Sequence, residues 1–299
     1  MGTNTFHLLV AEVGNKNFKI LLEQRVAVKI GVGGINQGII TEPAINRAIV
    51  ALQDFKRKLD DAKVEKIFAF GTSALRNAKN NNEVISKIKD ATSIETKIIS
   101  GDEEASYIYK GVNLALNLGK EKSLIMDIGG GSVEFIIGNG EEIFWKRSFE
   151  IGAQRLLERF QKHDPILSTE VDQLNIYFKE QLAPLFDAIK IYSPKILAGS
   201  SGTFDTLSEI YCIQSGIEIK NLPETLFAID AFEKIYKDLI SKNRGERMLI
   251  PGMIELRVEM IVVACCLIKF ILSHFSFSQI RVSSYSLKEG VMISLMKQN

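Results

Sequence analysis

An α/β chain of two domains is predicted by three observations. Short apolar runs rich in β-branched residues alternate with longer stretches of helical periodicity. Two consecutive strand-like runs open the chain, and a second group of consecutive strand-like runs opens after Lys120, as expected of a duplicated fold. The length of 299 residues corresponds to about two average domains.

The first expected strands are Phe6 to Val13 and Phe18 to Val28. Thr41 then caps a helix with Pro43 in its first turn and Ile45, Ala48, Ile49, Leu52, Phe55 and Leu59 along one face. Further strands are expected at Lys66 to Phe70 and Thr96 to Ile99. The stretch Gly119-Lys120-Glu121-Lys122 is polar, lacks hydrophobic periodicity and precedes the apolar start Leu124-Ile125-Met126, so it divides the chain into domains 1–119 and 120–299. Beyond it, strands are expected at Ser123 to Asp127, Val133 to Gly138, Glu142 to Ser148, Lys195 to Ala198 and Gln279 to Val282. Leu167 to Asp187 and Ala231 to Met296 read as mostly helical, which makes the second domain helix-rich.

Composition narrows the class. With 37 Lys plus Arg against 36 Asp plus Glu, the net charge is +1, and 46% hydrophobic residues are enough for large cores. Disorder and a nucleic-acid partner are both disfavoured, the latter because it needs a basic excess. The cluster Lys234, Lys237, Lys242, Arg244 and Arg247 is diluted by Glu233, Asp238 and Glu246 and reads as a solvated helix face. Cys212, Cys265 and Cys266 have no metal-ligand spacing and no disulfide pattern. The apolar run Met260 to Ile268 falls short of the ~20 residues of a bilayer span, so it is expected to be a buried helix and no membrane partner is expected. The opening residues carry no basic leader pattern, and Phe6 stands where a myristoylation signal needs Ser or Thr, so a cytoplasmic location is expected.

Five segments have the residue types of a phosphate site. The strongest is Asp127-Ile128-Gly129-Gly130-Gly131-Ser132-Val133-Glu134: a strand delivers Asp127, three glycines let backbone N–H groups approach a phosphate, Ser132 adds a hydroxyl, and the next strand presents Glu134. A tight hairpin alone would explain the glycines, but not the two flanking acids. The dinucleotide fingerprint and the P-loop pattern are both absent. The opening Gly2-Thr3-Asn4-Thr5 is a similar small polar turn, and the two together could clasp a phosphate chain across a cleft. Gly71-Thr72-Ser73-Ala74-Leu75-Arg76 follows a strand and offers a guanidinium for bidentate contact. In Ser100-Gly101-Asp102-Glu103-Glu104, three acids open a helix; they complement its dipole, and one of them could instead face the cleft as a base. Gly199-Ser200-Ser201-Gly202-Thr203 ends another strand before a helix, without the spacing of a nucleophile elbow. A serine–histidine mechanism has little support, since none of His7, His163 and His274 lies near a candidate serine in sequence.

In order and spacing, these segments resemble the successive motifs of the exopolyphosphatase and guanosine pentaphosphate phosphohydrolase family, in its short form. Arg257-Val258-Glu259-Met260-Ile261, Val282-Ser283 and Leu287-Lys288-Glu289-Gly290 extend the match, with Glu259 and Lys288 where the family has Asp and Arg. The resemblance implies the actin-like ATPase fold, two ribonuclease-H-like domains facing each other across a cleft, and magnesium-dependent hydrolysis of a terminal phosphoanhydride bond of polyphosphate or guanosine pentaphosphate. Carried over by motif, Glu104 is the base that activates water. Asp127 and Glu134 hold magnesium or position that water. Thr3, Asn4, Thr5, Arg76, Gly129, Gly130, Gly131, Ser132, Ser201, Gly202 and Thr203 bind phosphates. A homodimer is also implied. Family members carry an Asp two residues before the first glycine of the N-terminal turn, a position that precedes Met1 here. A binding protein of the same fold that senses polyphosphate or a nucleotide without turnover is the alternative expectation, and an actin-like sugar or acetate kinase ranks below both.

Overall fold

The computed structural model describes residues 1–14, 18–218 and 222–296. The chain runs through β1 (Phe6–Val13), β2 (Phe18–Val26), α1 (Glu42–Asp61), β3 (Ala69–Gly71), α2 (Ser73–Asn77), α3 (Asn81–Thr92), β4 (Thr96–Ile98) and α4 (Gly101–Leu116). It continues through β5 (Ser123–Ile128), β6 (Val133–Gly138), β7 (Ile143–Phe149), α5 (Ala153–Phe160), α6 (Ser168–Gln181), α7 (Ala183–Tyr192), β8 (Ile196–Ser200) and α8 (Ser201–Gln214). The last elements are β9 (Glu224–Phe227), α9 (Ile229–Ser241), α10 (Arg244–Met248), α11 (Ile261–His274), β10 (Gln279–Ser283) and α12 (Leu287–Met296).

The second half is built on a six-stranded sheet in the order β7-β6-β5-β8-β10-β9. Strand β5 pairs antiparallel with β6 and parallel with β8, and every residue of β5 and β6 is buried. Burial on both faces explains why these strands read as nearly continuous apolar runs. One face carries Leu124, Met126, Phe135, Ile137 and Leu197 into the largest core, against helices that include α6 and α11. The other face presents Ile125, Ile136 and Ala198 to Ala105, Ile108 and Val112 of α4.

In the first half, β1 and β2 form an antiparallel pair and β3 and β4 a parallel pair. Met1 joins the two pairs: its amine donates to the Phe70 carbonyl at 2.6 Å and its carbonyl accepts from the Thr72 N–H at 3.2 Å, one rung of a parallel ladder. The partner order β2-β1-Met1-β3-β4 therefore repeats β7-β6-β5-β8-β10. The turns that follow Met1 and β5 also match, Gly2 N–H to Thr5 O at 3.1 Å and Gly129 N–H to Ser132 O at 3.0 Å. Helices α1 and α3 cover this half's core, with Ile45, Ala48, Leu52, Phe55 and Leu59 buried as the periodicity requires and Ile49 half-buried.

Several expectations need correcting. Strand β2 stops at Val26, because Val28 and Ile30 leave the ladder to pack into the core. Strand β3 begins at Ala69 rather than Lys66; Lys66, Ile67 and Phe68 border a cavity between β1 and β3, where no ladder partner among the described residues meets them. Strand β9 was not foreseen, since four residues behind Pro223 carry too little pattern to separate from a loop. Thr41 occupies the cap position of α1 without a side-chain capping bond. Arg247 is not on a solvated face: it is 1% exposed, pairs with Asp164 at 2.7 Å and donates to the Val258 carbonyl. The run Met260 to Ile268 enters α11 as a buried helix, and no described helix is long and apolar enough to cross a membrane.

Candidate active site

Four strands of the second sheet set the site. Ser148 on β7 lies opposite Glu134 on β6, Glu134 opposite Asp127 on β5, and Asp127 opposite Ser200 on β8, so one row of polar side chains crosses the sheet at the strand ends. Directly opposed residues on one face are in side-chain contact. Ser148 Oγ donates to Glu134 at 2.6 Å, and Asp127 accepts from Ser200 Oγ at 2.6 Å, Ser201 Oγ at 2.7 Å and Ser286 Oγ at 2.5 Å. Ser286 was not anticipated. It follows β10 at the start of α12, and the serine-rich step from strand to helix that marks Ser200 and Ser201 was the available signal.

Helix α4 brings the third carboxylate. Its N-cap Ser100 and Glu103 form a reciprocal capping box, so Glu103 serves the helix end. Glu104, one residue on, turns inward and is 6% exposed, where it accepts from Arg76 Nη1 at 2.8 Å. Residue type alone does not separate the three acids; the family motif points to Glu104, and its place on the helix is what turns it inward. Burial raises the Glu104 pKa against the pull of the Arg76 charge. Burial and then the neighbouring charges of Glu104 and Asp127 hold Glu134 well above the carboxylate range. Three acids crowded in a dry wall are costly unless a cation is shared among them.

The two matching turns meet across the cleft. A Cβ on Gly130 would stand 2.5 Å from Asn4 Nδ2, and one on Gly131 would stand 2.5 Å from both Thr3 Oγ1 and Ser73 Oγ, so only glycine admits this approach. Thr3 Oγ1, Asn4 Oδ1 and Thr5 Oγ1 are buried without a hydrogen-bond partner among the described residues. Each such group costs about 1–3 kcal/mol unless a ligand satisfies it. They border a cavity of about 1420 Å³, together with Glu104, Asp127, Gly129, Gly130, Gly131, Ser132, Ser201 and Gly202. The cavity also has an apolar end between the two small sheets, where Leu52, Phe55 and Phe68 line it.

Most of the expected site residues are thus brought together, with three exceptions. Thr203 is buried in α8 and does not line the cavity. Glu134 and Arg76 stand just behind the wall, reaching the cavity through their neighbours Asp127 and Glu104. Arg257 belongs to a segment of the family pattern for which the sequence implied no role, and it proves to be a wall residue: Gly202 leaves room for its guanidinium, and its Nε has no partner among the described residues. Lys288 lines the cavity and pairs with Glu289, whereas Glu259 is half-exposed beside Arg244 at 3.5 Å, away from the carboxylates.

A divalent cation fits these residues. Among the described residues no three His, Cys, Asp or Glu form a self-contained metal site. Magnesium, however, commonly takes one or two carboxylates and completes its shell with water and substrate phosphates. The opposed pair Asp127 and Glu134, with Glu104 beside it, meets that requirement and would lose its mutual repulsion.

Comparison with known proteins agrees with this geometry. The chain is 45% identical to an exopolyphosphatase from Cytophaga hutchinsonii, whose crystal structure superposes with a TM-score of 0.97 over 100% of this chain and 96% of that one. A Ppx/GppA family member from Aquifex aeolicus superposes with a TM-score of 0.79 at 24% identity, over 100% of this chain and 96% of that one, and shares the fold. A guanosine-5'-triphosphate,3'-diphosphate pyrophosphatase from Photobacterium profundum is 26% identical over 298 residues; they make up 100% of this chain but 58% of that protein. The model of the Ppx/GppA phosphatase family matches residues 9–299, and the chain belongs to that family.

Proposed function

We propose that the chain hydrolyses the terminal phosphoanhydride bond of inorganic polyphosphate or of guanosine pentaphosphate. The observation that carries the proposal is the meeting of unpaired hydroxyls and a glycine turn with a buried carboxylate group in one cavity. Thr3, Thr5 and the backbone of Gly129, Gly130 and Gly131 bind the phosphate chain, and Ser201, Gly202 and Arg257 extend the cradle. Glu104 accepts the proton of the attacking water as its oxygen bonds to the terminal phosphorus, and the bridging P–O bond breaks to leave a shortened chain. The charge and hydrogen bond of Arg76 favour the ionised form that this step needs, against the stronger opposing effect of burial. Asp127 and Glu134 would hold a magnesium ion, which neutralises phosphate charge when bound.

Residues 1–119 and 120–299 are taken as the two domains of this enzyme. The helix α4 that delivers Glu104 precedes the division in sequence and packs on the second sheet. A cytoplasmic homodimer belongs to the same reading through the family resemblance.

The test is release of orthophosphate from polyphosphate and from guanosine pentaphosphate with magnesium. Glu104→Gln is expected to abolish release and retain tripolyphosphate binding; undiminished release removes Glu104 from the mechanism. Binding without release by the unaltered chain would instead assign a sensor of phosphate chains.

A further inference from the structure

Arg76, expected to bind phosphate, is already held behind the cavity wall by an exposed carboxylate, in a cluster that reaches the cavity through Ser73. Glu150, just beyond β7, accepts from Arg76 Nη2 at 3.2 Å, from Arg155 Nη2 at 3.1 Å and from Ser73 Oγ at 2.6 Å. This is the donor set that oxyanions use: two guanidinium groups and a hydroxyl converging on one group. The donors are fixed. Arg76 is 16% exposed and is also tied to Glu104 and the Ile99 carbonyl, while Arg155 is 14% exposed and bonds the Gly131 and Ile35 carbonyls. Ser73 Oγ stands against the glycine turn. Glu150 is the movable member, with its side chain 39% exposed.

We propose that Glu150 occupies, as an internal counter-ion, the position taken by the substrate's terminal phosphate, so that binding is an exchange of anions which sets a charge threshold for entry. The proposal rests on the phosphohydrolase reading and adds to it a specificity residue. An incoming phosphate must replace the carboxylate on Arg76, Arg155 and Ser73. A polyphosphate, held at several further points along the cradle, carries enough binding energy to displace Glu150, whereas orthophosphate, held at one point, does not. After hydrolysis Glu150 returns and expels the product. The design opposes product inhibition at the expense of some substrate affinity, since only interactions exceeding those already made in the free enzyme contribute to binding.

Glu150→Gln removes the competing charge and keeps the shape, and Glu150→Asp keeps the charge. Orthophosphate inhibition constants and tripolyphosphate dissociation constants by calorimetry are compared for the unaltered chain and both variants. The expected result is that Glu150→Gln binds orthophosphate about tenfold more tightly, equivalent to about 1.4 kcal/mol, and lowers KM for polyphosphate, with kcat falling as product release slows. Glu150→Asp should stay within about twofold of the unaltered chain on the same scale. Equal or weaker phosphate binding by Glu150→Gln, with tripolyphosphate still bound by the unaltered chain, overturns the exchange and leaves Glu150 as a support for Arg76. Absence of tripolyphosphate binding by every form would overturn both the exchange and the phosphohydrolase reading beneath it.

Discussion

Replacing Glu134 by Gln should stabilise the protein while destroying its activity. Glu134 is 1% exposed, faces Asp127 across the β5–β6 pair and is surrounded by the charges of Glu104 and Asp127. Its folded-state pKa lies well above that of the unfolded chain, with burial the leading cause. Below the unfolded value of 4.5 the carboxyl is protonated in both states and makes no difference. As pH rises beyond it, the unfolded chain releases a proton that the folded chain retains, so stability falls with pH until the folded pKa is passed. Each tenfold difference in proton affinity between the two states corresponds to about 1.4 kcal/mol, and 1 kcal/mol moves the melting temperature of a domain of 150–250 residues by about 2–4 °C. Glutamine carries no charge to desolvate and can still accept from Ser148 Oγ. Chelator-treated Glu134→Gln should therefore melt several degrees above the unaltered chain at pH 7.5. The gap should close near pH 4.5, and magnesium should narrow it by stabilising the unaltered chain alone. Calorimetric melting over this pH range, run beside a phosphate-release assay, tests both effects. A lower melting temperature for Glu134→Gln at pH 7.5 would refute the view that the site stores electrostatic strain.

Gly131→Ala places a methyl group 2.5 Å from Thr3 Oγ1 and Ser73 Oγ, and should raise KM for polyphosphate at least tenfold (about 1.4 kcal/mol) with little loss of helical content by circular dichroism. Unchanged KM would place the phosphate chain elsewhere. Cys265 and Cys266 lie 0% and 1% exposed in α11, and burial pushes the Cys266 thiol up to about 12. Both should resist aromatic disulfide reagents at pH 8 in the native protein and react only in denaturant, since the thiolate is the reactive form. Rapid native labelling at either position would show that α11 opens on its own.

The resemblance to a phosphohydrolase family was legible because it rests on local chemistry. Glycine turns, strand ends and acids at fixed spacing are set by neighbouring residues, and the segments around residues 3–5, 71–76 and 127–134, each weak alone, become specific as an ordered set. The strands β1 and β6 were located to the residue for the same reason, since alternation and turn residues bound them closely. Beyond that range residue types alone decide little. Glu103 and Glu104 are adjacent acids in one helix turn; the family motif singles out Glu104, and the packing of α4 on Ile125 and Ile136 is the physical reason that Glu103 caps the helix while Glu104 enters the site.

Distance along the chain hid the rest. Ser286 meets Asp127 across 159 residues, and Glu150 meets Arg76 across 74; no local pattern encodes such pairs. Arg247 appears in a run of charges yet lies in the core, because Asp164 and the Val258 carbonyl satisfy its guanidinium. Which groups the protein has for binding phosphate and moving a proton could be read along the chain, since those are properties of residue types and their nearest neighbours. Which of them share a dry wall came from folding alone, because burial and charge coupling, and with them the raised carboxylates and the occupied arginine, exist only once distant segments are packed together.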